Sequence, residues 1–244
     1  MYTLIVGSTS EIAIEFIKSN VEKNKKYILT DLEEKCGELS KRIEELKVEA
    51  YIFPLDVTNI REIERLFFYI SENKMIISEV IYVAGINYLL DAINMTEEIW
   101  DKVLSVNLKG CFFVMKEAAK NMIVNDIKGS MVNISSQHGI VGNEQRAAYC
   151  ASKAGIINLN KALAIEWSQY NIRVNSVSPT FILYDKNRDL LMSEKFKRSF
   201  LKNIPLRSYC NSRDVVNAIK FLLSEENQMI TGHNLVVDGG WTIK

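Results

Sequence analysis

Short, continuously apolar runs alternate along this chain with longer stretches whose apolar residues recur every three or four positions. The runs are Tyr2–Val6, Tyr27–Thr30, Ala50–Leu55, Val80–Ala84, Ser130–Ile134, Ile172–Val177 and Asn234–Val237. Runs of that length without polar alternation suit strands covered on both faces, as in a parallel sheet. Between them the spacing predicts helices near 11–23, 32–47, 59–73, 97–124, 149–169 and 212–224. In the fourth, Val103, Val106, Leu108, Phe112, Phe113 and Met115 give a wide apolar face. Right-handed crossovers between such units build a doubly wound α/β fold, a parallel seven-stranded sheet with helices on both faces. No linker, repeat or low-complexity tract divides it, so residues 1–244 are read as a single domain.

One long insertion interrupts the alternation, between Val177 and Arg213. Its centre, Arg188 to Leu201, carries Leu190, Leu191, Phe196, Phe200 and Leu201 in an amphipathic helical pattern. At the carboxyl edge of a sheet such a segment, near 181–204, reads as a substrate lid. A surface helix packed permanently on the core is the competing reading.

Composition narrows the function classes. Lys+Arg and Asp+Glu balance at 30 each, which removes the basic excess of a nucleic-acid binder. No apolar stretch approaches the roughly 20 residues of a membrane span, and the first residues carry no export signature. Cys36, Cys111, Cys150 and Cys210 show no metal-ligand spacing and no disulfide framework, as expected of reduced thiols in a cytoplasmic protein. With His138 and His233 as the only histidines, no metal site is expected.

The turn Gly7-Ser-Thr-Ser-Glu-Ile-Ala13 follows the first strand and opens a helix, an arrangement that delivers a diphosphate to a helix N-terminus. Ser8, Thr9 and Ser10 offer hydroxyl donors; an ordinary turn with Ser10 as N-cap is the plainer reading. Asp31 ends the second strand, 24 residues after Gly7, where a carboxylate accepts from both adenosine ribose hydroxyls. Capping the next helix is a compatible role. A 2′-phosphate would meet that negative charge, and Ser10 and Leu32 supply no cation, so NAD is expected ahead of NADP. Asp56, ending the third strand, is placed to reach the adenine edge.

A second constellation lies downstream. Tyr149 and Lys153 are four apart and share a helix face. An ammonium held there favours the phenolate, bringing the Tyr pKa down from about 10 toward working pH, which suits a general acid/base. Ser136 is thirteen residues upstream of Tyr149 and can present its hydroxyl to the same substrate oxygen. His138, two residues on, is a candidate substrate contact.

Together these residues resemble the short-chain dehydrogenase/reductase family from end to end. The Gly7 turn, Asp31, Asp56-Val57, Ala84-Gly85, Asn107 in V-N-L-K-G, Ser136, Tyr149-x-x-x-Lys153, Asn175-Ser-Val-Ser-Pro179 and Val237-Asp-Gly-Gly240 recur in family order. The resemblance implies NAD(P)-dependent interconversion of an alcohol and a ketone. It assigns proton transfer to Tyr149, the substrate oxygen to Ser136, the nicotinamide ribose to Lys153, and a water relay to Asn107. The cofactor site it implies takes in Gly7, Ser8, Thr9, Ser10, Glu11, Ile12, Asp31, Asp56, Val57, Ala84, Gly85, Tyr149, Lys153, Pro179, Thr180 and Ile182. Relatives often associate through the two helices near 97–124 and 149–169. Here those helices carry Phe112, Phe113, Leu159 and Trp167 beyond a single stripe, so a homotetramer or homodimer is expected.

The departures lie in the cofactor cradle. Glu11 and Ala13 replace two of the family's glycines, N-N-A-G reads Y-V-A-G at 82–85, and Tyr184 stands where a Thr is usual. A carboxylate at about 4 Å from a diphosphate, at an effective dielectric near 20, would repel it by about 4 kcal/mol. Either Glu11 points to solvent at the helix start, where the dipole favours it, or cofactor binding is weak. The leading function is an NAD(H)-dependent oxidoreductase acting on a secondary alcohol or its ketone, with a sugar, a polyol or a related small hydroxy compound as substrate. A 3-oxoacyl-(acyl-carrier-protein) reductase-like enzyme is one alternative, and a catalytically silent nucleotide-sensing or scaffold protein is another. Six basic residues against three acidic ones in Asp185–Lys202 hint at an anionic substrate.

Overall fold

The computed structural model describes residues 1–23 and 25–243. Among them the apolar runs become seven parallel strands: β1 (Tyr2–Val6), β2 (Lys26–Asp31), β3 (Ala50–Pro54), β4 (Ile77–Tyr82), β5 (Ser130–Ile134), β6 (Arg173–Pro179) and β7 (Asn234–Val237). They form one sheet in the order β3-β2-β1-β4-β5-β6-β7. The connecting helices are α1 (Glu11–Lys18), α2 (Glu33–Leu46), α3 (Ile60–Glu72), α4 (Glu97–Leu104), α5 (Cys111–Val124), α6 (Ala147–Trp167), α7 (Arg188–Met192), α8 (Glu194–Ser199) and α9 (Ser212–Leu223).

Each face of the sheet has its own core. Leu4, Val80 and Met131 point with α3, α5 and α6 into one; Ile5, Ile81 and Val132 point with α1, α2 and α9 into the other. Adjacent strand residues thus feed opposite layers, which is why the strands are apolar throughout. This is a single Rossmann-like domain. The strand order reverses at β1, flanked by β2 and β4, and that reversal opens a crevice at the carboxyl ends of the strands.

Three elements differ from the sequence expectation. The first helix stops at Lys18, because the side chains of Ser19 and Asn20 both donate to the Phe16 carbonyl (3.0 and 2.7 Å) and end the ladder. The helix expected over 97–124 is broken by a π-helical turn, Ser105–Gly110. Gly110 packs there against Val57: a Cβ on it would lie 2.7 Å from the Val57 carbonyl oxygen. The insertion is two short helices, α7 and α8, separated at Ser193, whose hydroxyl accepts from the Phe196 amide at 3.3 Å. Its apolar side chains form a small third cluster around Leu191, Ile204 and Tyr209, packed against Phe181, Phe196 and Trp241.

Candidate active site

The first site element is the turn after β1. Gly7 sits at φ +85, and a Cβ there would lie 2.7 Å from the Ala84 backbone nitrogen. No other residue fits without moving β1 from the chain that follows β4. Ser8 departs from its expected role: its buried hydroxyl donates to the Ile5 carbonyl (2.9 Å) and accepts from the Thr30 amide (3.1 Å). It locks the turn to β1 and β2 and has no hydroxyl to spare for a phosphate. Ser10 is the N-cap of α1, accepting from the Ala13 amide at 3.2 Å. The α1 N-terminus, through Ser10 and Ile12, faces the main crevice.

Asp31 is buried at the end of β2. One carboxylate oxygen accepts from the Thr9 amide and hydroxyl (2.9 and 2.6 Å); the other accepts from the Leu32 amide at 2.9 Å. Lys35, on α2, lies 3.3 Å from that second oxygen. Burial opposes the charge, but these hydrogen bonds and Lys35 outweigh it and hold the carboxyl below its ordinary range. A cation therefore does stand near this carboxylate, one turn beyond Leu32. Glu11 is not left to solvent alone. It leans onto α2, where Arg42 meets its carboxylate at 3.3 Å. Asp56 accepts from the amide and hydroxyl of Thr58 (2.9 and 2.8 Å) and lines a separate concavity of about 510 Å³ with Leu32 and Leu55. Val57 is buried under Gly110.

The main crevice is a cavity of about 390 Å³ at the carboxyl edge. It gathers Ser10, Ile12, Gly85, Ser136, His138, Tyr149, Lys153, Pro179, Thr180 and Ile182, so the expected catalytic and cofactor segments converge on one place. Asn107, in the π turn, does not line the cavity but stands behind Gly85 and Ile86, which do. It accepts from the Ile86 amide (2.8 Å) and donates to the Ile86 carbonyl (3.0 Å) and the Ser152 hydroxyl (2.9 Å). A Cβ on Gly85 would lie 3.3 Å from Lys153 Nζ and 3.4 Å from Asn107 Oδ1, so both groups border the same small space.

Lys153 is buried, donates to the Ile134 carbonyl at 2.7 Å, and lies 5.7 Å from the Tyr149 ring centroid. Burial pulls its pKa down to about 8. The expected lowering of the Tyr149 pKa by Lys153 is not what the chain alone provides. Burial pushes that phenol up, opposed by a hydrogen bond from Ser136 and the charge of Arg146. Ser136 Oγ accepts from the His138 amide (3.1 Å), which leaves its own proton free for another oxygen in the cavity.

Five polar residues of the cavity escaped the sequence reading: Asn87, Ser135, Gln137, Arg146 and Asn187. Arg146 had a legible signal, since it precedes Tyr149 by three residues at the start of α6 and so shares its face. Gln137 had none beyond adjacency to Ser136. The basic residues of the insertion do not line the cavity; Arg188 and Lys197 instead pair with Asp185 and Glu194. Among the described residues no cluster of three or more potential metal ligands occurs, and no helix is long and apolar enough to cross a membrane.

A parallel sheet with a glycine turn at its switch point, and a Ser–Tyr–Lys set in the same crevice, define a nucleotide-dependent oxidoreductase class. A family model described as Enoyl-(Acyl carrier protein) reductase matches residues 6–242. The NAD-dependent glycerol dehydrogenase of Listeria innocua serovar 6a is 32% identical over 99% of this chain and 93% of its own. A solved 4-hydroxyisoleucine dehydrogenase complexed with NADH superposes with a TM-score of 0.92 at 31% identity, covering 100% of this chain and 99% of that one. ElxO with NADP bound superposes at 0.91 and 26% identity, over 100% of this chain and 99% of its own. The chain belongs to the short-chain dehydrogenase/reductase family, oxidoreductases of the alcohol–ketone type.

Proposed function

We propose that this protein interconverts a secondary alcohol and its ketone with NAD(H), on a small hydroxy compound, with Tyr149 as the general acid/base. The observation that carries the reading is the convergence of Ser136, Tyr149, Lys153 and the α1 N-terminus on one cavity. The cradle fits a dinucleotide: Gly7 leaves no room for a side chain, and Gly85 opens space beside the Lys153 ammonium. Gly7, Ser10, Ile12, Asp31, Gly85, Thr180 and Ile182 would hold it, with Asp56 and Val57 toward the adenine end. When bound, the cofactor accepts or supplies the hydride.

The chain's own residues handle the oxygen. Tyr149 takes the alcohol proton in oxidation and returns it in reduction. Ser136 hydrogen-bonds the same oxygen and steadies the phenolate. Lys153, charged at neutral pH, holds the ribose, while Asn107 grips the backbone of Ile86 at the cavity edge. The α7–α8 segment acts as a lid that excludes water.

Asp31 supports NAD over NADP, because its lowered pKa keeps it ionised where a 2′-phosphate would lie. Lys35 softens that preference without removing it. The family description leaves an acyl-carrier-protein reductase as the second reading. We place the protein in the cytoplasm, a reading that its four free cysteines support. We read it as a homotetramer or homodimer through α5 and α6, a reading supported by Phe112, Phe113, Leu159 and Trp167, which are only partly buried. Assay of polyols, sugar acids and 3-oxoacyl thioesters with NAD(H) and NADP(H) in parallel tests the proposal. Turnover of small hydroxy compounds with NAD is expected. NADPH-specific reduction of the thioesters alone would establish the second reading.

A further inference from the structure

The cavity beside Tyr149 holds more polar capacity than proton transfer uses. Gln137 is 1% exposed, and neither its amide oxygen nor its amide nitrogen finds a partner among the described residues. His138 is 5% exposed; its Nε2 meets the Asn143 amide at 3.4 Å while Nδ1 has no partner. Arg146 is half-buried, its Nε likewise unpartnered, and none of the ion pairs among the described residues involves it. No aspartate or glutamate lines the cavity. Unpaired buried amides and partly desolvated cations are costly, and a ligand that satisfies them recovers that cost.

Two of the three groups, Arg146 and His138, flank one ring. The Arg146 guanidinium carbon lies 5.9 Å from the Phe181 centroid, and the His138 ring is 5.9 Å from Phe181 and 6.5 Å from Tyr149. Arg146 is also held in place: Gln145 before it adopts a left-handed φ of 59, its carbonyl accepts from the Leu90 amide (3.0 Å), and its side chain donates to Asp91 (3.0 Å). The backbone that carries Arg146 is thus fixed, and its guanidinium lies over Phe181 at the cavity wall.

We infer that Arg146, with Gln137 and His138, is a carboxylate-recognition subsite, so the substrate is a hydroxy acid or the matching oxo acid. The inference rests on the oxidoreductase reading and names its substrate class. One guanidinium takes a carboxylate through two parallel N–H···O bonds. A neutral amide and a neutral imidazole supply further donors, whereas a phosphate dianion would call for more cationic charge than this wall carries. The carboxylate is not consumed: the C–H electron pair leaves for the cofactor, the O–H proton goes to Tyr149, and the acid group remains on Arg146.

The test uses cofactor-loaded protein and hydroxypentanoates with the hydroxyl at each position, alongside their primary amides. At least one acid should exceed its amide by about 100-fold in kcat/KM, the discrimination expected when removing the ligand's charge strands a charged site group. Arg146→Met should erase that preference mainly through KM, Arg146→Lys should keep part of it, and neither should change NADH binding. Acid and amide used equally, or a preference surviving in Arg146→Met, overturns the inference. Pentanoate titrated calorimetrically into the NADH-loaded protein separates it from the parent reading. Binding lost in Arg146→Met upholds the subsite even where no isomer is turned over, an outcome that counts against the oxidoreductase reading instead. Absence of both pentanoate binding and acid turnover overturns the subsite.

Discussion

Glu11 breaks the family pattern, yet its charge is already answered. Arg42 meets it at 3.3 Å, with the two side chains 25% and 36% exposed, so the pair is worth about 1 kcal/mol or less. A paired carboxylate turned toward α2 has little left with which to repel a diphosphate. Glu11→Gln should therefore change NAD affinity less than about twofold, read by calorimetry, since an offset charge alters binding little. A tightening beyond about tenfold would mean that the carboxylate acts on the diphosphate. His138 carries a pH signature. Burial, with a smaller contribution from Arg146, lowers its pKa from 6.5 to about 4. As pH falls, the unfolded chain takes up this proton first, so stability is lost from about pH 6.5 down to about pH 4, by about 3 kcal/mol in total. Urea unfolding across that window should be steeper in pH for the wild type than for His138→Gln. Equal slopes would contradict the buried, neutral imidazole. The Ser–Tyr–Lys spacing was legible at this scale, but the commitment of Ser8 to the strand backbone was not. A hydroxyl's partner depends on which way the turn folds.

At the scale of elements, apolar runs located β1, β5 and β7 at their observed bounds, because a buried parallel strand writes itself as an uninterrupted apolar segment. Local periodicity could not show the π turn at Ser105–Gly110, since its causes are tertiary: Gly110 against Val57, and Asn107 against Ile86. Such turns recur at functional sites, and this one sets Asn107 beside the same small space at Gly85 that Lys153 borders. Gly110→Ala decides whether packing governs it. Helix propensity alone would favour Ala by about 1 kcal/mol. The Cβ, however, would meet Val57 at 2.7–2.8 Å, and such overpacking costs about 1–3 kcal/mol. Net destabilisation in thermal unfolding, with kcat falling more than cofactor affinity, is the expected result. A stabilised variant with full activity would show that Gly110 is not what shapes the turn.

For the whole molecule, the fold places its chemistry at one edge. Reversal of strand order at β1 brings the Gly7 turn, the end of β4 and the segment after β5 together, and α6 supplies Arg146, Tyr149 and Lys153 to the same crevice. The sequence order of these motifs foretold that convergence. What it misplaced was the positive charge: the basic insertion drew attention by composition, while a single half-buried arginine faces the cavity. Counting charges cannot tell a solvated helix face from a cavity wall; burial and the absence of a partner can. The central claim is that Tyr149 moves the proton while the fold binds the cofactor independently. Tyr149→Phe tests it most directly, measured as single-turnover hydride transfer alongside NADH binding on the same preparation. The account predicts a rate lower by about 10² to 10⁴ with NADH affinity nearly unchanged. A Phe variant that turns over at close to the wild-type rate would contradict it.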